Sequence, residues 1–192
     1  MSVASHPEFP ELLCLMGAIV KENFTICWEG DLFRAVSSKY AGSQDLISGD
    51  GSKMYGGRWN APGSFRTVYG SSCALLATRE ALAHYRQFNI PEKHAMPLTI
   101  KAISVKLSSV VNLTDAIVHQ RLGVSLDRLM KDDWRNEKWA HKESLTQAVG
   151  HAAKECGVEA IMAPSARSEE RQDVNVAIFP DNLRPESKMS VL

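Results

Sequence analysis

"GGRWNAPGSFRTVYGSSCALLATREALAHY", residues 56–85, decides how the chain is read. Two glycines and a proline–glycine turn lead into "RTVYGS" (66–71), a strand that stops at Gly70. "SCALLATREALAHYRQF" follows as a helix, with Ser72 as the expected N-cap and Pro91 marking its far side. Arg58, Tyr69 and Glu80 fall at equal spacings of eleven residues across this turn–strand–helix unit. The pattern fits packing, a fold-stabilising ion pair, or a site that holds an anion and does chemistry beside it.

Outward from this unit the chain reads as a mixed α+β domain with several short strands. "PELLCLMGAIVKEN" is helical in pattern, and "FTICWEG" and "LFRAV" (32–36) are strands, the second carrying Arg34. Residues 37–57 are rich in Gly, Ser and Asp and are expected to be a long loop, a feature that is often functional. "IKAISVKL" (100–107) alternates Ile103, Val105 and Leu107 against Ser104 and Lys106, as a strand does. "DAIVHQRL" and "SLDRLMKDDW" are short helices within the mixed stretch 108–140. The clearest helix is "HKESLTQAVGHAAKECG". Leu145, Ala148, Val149, Ala152, Ala153 and Cys156 form one apolar face, and Gly157 is its stop. "VEAIMAP" and "VNVAIF" are strands that bracket the loop "SARSEERQD", and the tail beyond Pro180 is expected to be irregular.

The chain has 192 residues, 44% hydrophobic and 23% charged, with a formal net charge of zero. That length and composition suit one domain with a real core. The missing basic excess argues against a membrane surface or direct nucleic-acid binding. Cys14, Cys27, Cys73 and Cys156 are scattered without zinc-ligand spacing, and read as free thiols in a reducing cytoplasm. The N-terminus has no basic signal-type segment, and the longest apolar run, residues 12–20, is about half of what a bilayer crossing needs. No GxGxxG, GxxxxGK[ST], HExxH or GxSxG motif occurs in a fitting context.

The candidate site residues each admit two readings. Arg58, beside Gly56–Gly57 and Trp59, is a fork for phosphate or carboxylate, or an arginine stacked on the tryptophan. Arg34 is an edge charge or an inward anion-binding charge. Glu80 lies beside Leu76 and Ala83 on its helix. It is either the partner of Arg79, Arg86 or Arg58, or a carboxylate that stabilises positive charge at a sugar carbon. Tyr69 closes a strand and packs in the core or lines a site. Ser165, after Pro164, makes a turn or presents its hydroxyl. Asn175 faces away from Val174 and Val176, into solvent or into a polar pocket. His84, one turn beyond Glu80, has no evident catalytic partner and reads as structural.

The order of these pieces is more specific than any one of them. "GGRWNAPGSFRTVYGSS", the helix with "EALAHY", and "APSARSEERQDVNVAIFP" together resemble the RES domain, a family named for an arginine, a glutamate and a serine in this order. The resemblance runs from about Arg34 to Pro185. It implies a single α+β domain resembling the ADP-ribosyltransferase toxins, with residues 1–30 an N-terminal extension, 31–186 the catalytic domain and 187–192 a tail. It implies an NAD-consuming toxin of a toxin–antitoxin pair, a phosphorylase or glycohydrolase acting on the nicotinamide–ribose bond. Inorganic phosphate would be a co-substrate in the first case, and no metal would be needed. A protein ADP-ribosyltransferase and a non-catalytic RES-like module are the alternatives. By position, the resemblance makes Glu80, Arg58 and Ser165 catalytic. Arg34 and Arg58 would bind the NAD diphosphate or acceptor phosphate, and Tyr69 would pack on the nicotinamide side. Ser165 and Asn175 would complete the ribose and phosphate pocket. An antitoxin covering the site and a homo-oligomer are the expected protein partners.

Overall fold

Pro10 opens the first helix where its missing N–H would have no intrahelical partner, and the helix buries Leu12, Met16 and Ile19. That helix is α1 (Phe9–Lys21) in a computed structural model that describes residues 3–87, 90–165 and 173–192. Strand β1 (Ile26–Ser37), a 3-10 turn, and the short helices α2 (Ser43–Ser48) and α3 (Asp50–Tyr55) follow. The central unit is β2 (Val68–Ser71) and α4 (Ala74–Gln87), then β3 (Leu98–Asn112). Four helices come next: α5 (Ala116–Leu122), α6 (Leu126–Lys131), α7 (Trp134–Trp139) and α8 (Leu145–Glu155). Strands β4 (Ala160–Pro164), β5 (Val174–Ile178) and β6 (Lys188–Val191) end the chain.

The strands form a mixed sheet that returns on itself. One edge of β1 pairs antiparallel with β3 from Ile26↔Val110 to Ser37↔Leu98, and the other meets β2 at Phe33↔Ser71. β2 pairs with β5, β5 with β4, and β4 runs parallel to β3, which closes the ring; β6 is an extra antiparallel strand on β3. Alternation then divides the apolar side chains between two cores. Leu32, Val68, Ile103, Val105, Leu107, Val110, Ala160, Met162, Val176 and Ile178, from every strand of the ring, form one cluster with Leu46 of α2. Ile161, Ala163, Ala177 and Phe179 point the other way, against α1, α5 and α8. With both faces covered, β4 is buried at four successive positions. Helix α8 is fixed at its start by a reciprocal capping box between Ser144 and Gln147, and Gly157 leaves it at φ +72°.

Several sequence expectations change. Residues 37–57 are not a loop: the 3-10 turn, α2 and α3 lie there. Leu46 must reach the ring interior, and Gly49, at φ +74°, ends one short helix and starts the next. The two N-terminal strands are one, because β3 pairs with β1 straight through Gly30 and Asp31. The first thirty residues therefore include the opening of β1 as well as α1, which packs against α8. The tail is not irregular. Met189 and Val191 pack on the core as β6 pairs with Ile103–Lys106. Helix α4 begins after Cys73, whose thiol accepts from the Leu76 N–H, while Ser72 Oγ accepts from the Val174 N–H. Most of the "SARSEERQD" loop (166–172) and the His84 side chain lie outside the described residues.

Glu159, fully buried, closes the β3–β4 corner onto the C-terminal segment. Its carboxylate accepts from the Ser108, Ser109 and Arg184 backbone N–H groups and from Ser187 Oγ. Burial pushes its pKa up, but these hydrogen bonds outweigh burial and hold it below the ordinary 4.5. The stability contributed by the ionised form is therefore full above that ordinary value and drains as pH falls through the lower folded-state value. Urea midpoints from pH 7 to acid should fall more steeply for wild type than for Glu159→Gln. Glu159→Ala should cost about 2–5 kcal/mol at neutral pH, because it strands buried donors.

Candidate active site

The glycine–arginine–tryptophan turn is clamped from below by α8. Gly56, at φ +71°, ends α3, and the Gly57 N–H donates to the Asn60 carbonyl at 2.8 Å. Gln147 Nε2, buried on α8, donates to the Gly57 carbonyl at 2.9 Å and to that of Asn60 at 3.3 Å. A Cβ on Gly150 would lie 1.9 Å from the Trp59 carbonyl oxygen, so the helix touches the turn backbone to backbone. Asn60, also buried, donates to the Ser52 and Phe65 carbonyls and accepts from Tyr69 Oη at 2.7 Å. Tyr69 Oη in turn accepts from the Trp59 N–H at 3.0 Å. Burial raises the phenol pKa, so Tyr69 acts here as a protonated donor.

Glu80 is the focus of the second cluster. Ser165 Oγ donates to Glu80 Oε1 at 2.9 Å, and Asn175 Nδ2 donates to the same oxygen at 2.7 Å. The Asn175 amide is oriented because Ser71 Oγ–H occupies its Oδ1 at 2.7 Å. Strand pairing makes this possible: Ser71 and Asn175 are direct cross-strand partners, and Ala163 flanks Asn175 on its other side. Ser165 is buried. Among the described residues Oε2 receives no hydrogen bond and Glu80 joins no ion pair; Arg86 pairs with Glu92 instead.

These clusters share one cavity of about 420 Å³. Its described lining carries three arginines, Arg34, Arg58 and Arg135, against the single carboxylate of Glu80, in a chain of zero net charge. Phe33, Trp59, Tyr69 and Trp134 supply aromatic surface. Two of the guanidinium groups are fixed at helix ends. Arg34 Nη1 donates to the Leu46 carbonyl in the last turn of α2, and Arg58 Nη2 to the Leu129 carbonyl in the last turn of α6. Such carbonyls lack intrahelical partners, so each short helix both needs its arginine and holds it at the pocket. Burial pushes Arg34 down to about 10, which leaves it charged at neutral pH.

The structure thus gathers Arg34, Arg58, Tyr69, Glu80 and Asn175 on one pocket, with buried Ser165 bonded to Glu80. Sequence reasoning missed Asn60, Ser71, Gln147, Trp134 and Arg135. Gln147 shows in the sequence only as the second half of a Ser-x-x-Gln capping box, since its bonds to the glycine turn lie across the fold. Asn60 bonds Ser52, Phe65 and Tyr69, all within nine residues, but its residue type alone does not announce those bonds. For Ser71, its position beside Gly70 at the strand end was the available sign. Among the described residues no group of three or more His, Cys, Asp or Glu could hold a metal, and no helix is long and apolar enough to cross a membrane.

The RES domain family matches residues 31–191, and the chain belongs to this family. It is 29% identical over 145 residues to the NAD(+) phosphorylase MbcT of Mycobacterium tuberculosis, covering 74% of this chain and 70% of the relative. The MbcT of Mycobacterium bovis matches to the same extent. The fold is similar to a chain of the crystallised M. tuberculosis MbcT–MbcA toxin–antitoxin complex, with TM-score 0.67 and 20% identity over 93% of this chain and 89% of that one.

The clamp gives a direct test. Alanine normally stabilises a helix relative to glycine by about 1 kcal/mol. Gly150→Ala should instead destabilise by roughly 1–3 kcal/mol, because its Cβ meets backbone that cannot rotate away. Gly51→Ala, whose Cβ meets nothing within 4 Å, is the matched control and should be neutral or slightly stabilising in the same urea titration.

Proposed function

We propose that this protein is an NAD phosphorylase that breaks the nicotinamide–ribose bond. The observation that carries the reading is the pairing of one fixed carboxylate, Glu80, with a pocket wall otherwise charged by arginines. The relatives named NAD(+) phosphorylase support the choice of substrate and acceptor.

NAD suits such a pocket in both of its charges. Its diphosphate is anionic, which favours Arg34 and Arg58 as its binders, or as binders of the acceptor phosphate. Its scissile C1′–N bond breaks with both electrons going to the nicotinamide nitrogen, which becomes neutral. Positive charge then develops on the ribose carbon and ring oxygen, and the Glu80 carboxylate stabilises it. A phosphate oxygen forms the new bond to C1′. Nicotinamide leaves without needing a strong general acid, so no metal or histidine–cysteine pair is called for. Tyr69 takes the nicotinamide side in this scheme. Asn175 and Ser165 act as positioning residues: with both donors on Oε1, the other carboxylate oxygen is left for the substrate.

The wider expectations belong to the same proposal. They are a cytoplasmic toxin, a fold related to ADP-ribosyltransferase toxins, and an antitoxin that covers the pocket. The toxin–antitoxin complex of a similar fold supports this partner class.

Phosphorus NMR of the purified protein with NAD tests the chemistry. A new sugar-phosphate signal that appears only in phosphate buffer is expected. ADP-ribose at equal rates with and without phosphate would make the enzyme a glycohydrolase. Undiminished NAD would refute both, leaving transfer to a protein in cell extract to be assayed. Glu80→Gln should slow turnover about 10²- to 10³-fold with the thermal midpoint retained. Expression without a partner should deplete cellular NAD and stop growth, and Glu80→Gln should relieve both effects.

A further inference from the structure

We infer that Trp134, braced by Arg135, forms the subsite for the purine of the dinucleotide and so selects substrates that carry an adenylate half. This assignment rests on the NAD reading of the pocket and extends it to a helix to which that reading gave no role.

Helix α7 is held at the pocket by contacts from two directions. Asp132, just before it, accepts from the Thr146 N–H at 3.0 Å and from Thr146 Oγ1 at 2.6 Å, which pins the α6–α7 junction to the buried first turn of α8. Asp133 then caps α7 by accepting from the Asn136 N–H. Arg58, inside the pocket, reaches the Leu129 carbonyl of α6 and ties the same segment to the glycine turn. The result is that Trp134 and Arg135, both half-buried, line the cavity that contains Glu80. The Arg135 guanidinium lies over the Trp134 ring, 4.2 Å from its centroid.

The pocket thus joins three chemistries. Glu80 is held from β5 and the end of β4, Arg34 and Arg58 come from β1 and the glycine turn, and the indole and third guanidinium come from α7. Arg58 belongs to the glycine turn and reaches α6, so a cation stands where the turn meets the segment that leads into α7. A dinucleotide offers a scissile ribose, a diphosphate and a purine to these three chemistries. An indole is the largest stacking face a protein can offer a base, and a guanidinium set over it holds the ring in place while adding its own stacking surface.

The test compares wild type, Trp134→Ala and Trp134→Phe. The alanine variant should raise KM for NAD roughly 5- to 150-fold, the range that removal of one base-stacking side chain commonly produces, with the loss falling on KM rather than kcat. Phenylalanine should recover most of it. AMP binding by calorimetry isolates the subsite: AMP should bind wild type and bind Trp134→Ala weaker by a similar factor. Loss of kcat with unchanged KM would overturn the assignment. AMP binding that is absent from wild type, or equal in wild type and the alanine variant, would overturn it as well. If wild type never consumes NAD yet binds AMP through Trp134, the subsite stands and the phosphorylase reading falls.

Discussion

The site depends on how β1 meets β2. The two strands share a single paired position, Phe33↔Ser71, and Gly70 lies directly against Leu32 there. A Cβ at Gly70 would sit 2.8 Å from the Leu32 Cβ, a contact that neither backbone could relieve without moving. Glycine therefore lets the ring close. Closure sets Arg34 on β1 near Tyr69 and Ser71 on β2, and β2 carries Asn175 beside it on β5. Without that junction, the guanidinium from one edge and the carboxylate cluster from the other would not share a pocket.

Around this junction the protein uses ordinary structural needs to place charged groups. Short helices end in carbonyls that lack partners, and Arg34 and Arg58 supply donors to two of them. A strand ladder puts Ser71 opposite Asn175, so a hydroxyl orients the amide that holds Glu80. Helix α8 approaches the glycine turn so closely that only Gly150 fits, and Gln147 satisfies the carbonyls this approach buries. Arg34, Arg58, Glu80 and Asn175 are thus each fixed at the pocket by an interaction that also holds the fold.

The helix with the apolar face Leu145–Cys156 was legible because its period is local and strong, and the 100–107 alternation revealed β3 for the same reason. The region 37–57 was not, because its glycines and serines look like a loop until Leu46 is seen to plug the ring. The strand in the tail is hidden from the sequence for a related reason. Met189 and Val191 are too short a pattern to signal a strand unless β3 offers an open edge. Ser165 was found through its place in a familiar order of residues, but its burial and its bond to Glu80 come from the tertiary structure.

The sequence by itself determined the family and the helical and strand segments with strong period, and its residue order singled out Arg34, Arg58, Tyr69, Glu80, Ser165 and Asn175 as candidates. These are properties of local pattern and residue order. The tertiary structure decided which Glu80 oxygen is held, what anchors each arginine, and that Trp134 and Arg135 join the same cavity. Those facts join residues far apart in the chain. Ring closure and the packing of α8 bring them together, and no local pattern encodes the result.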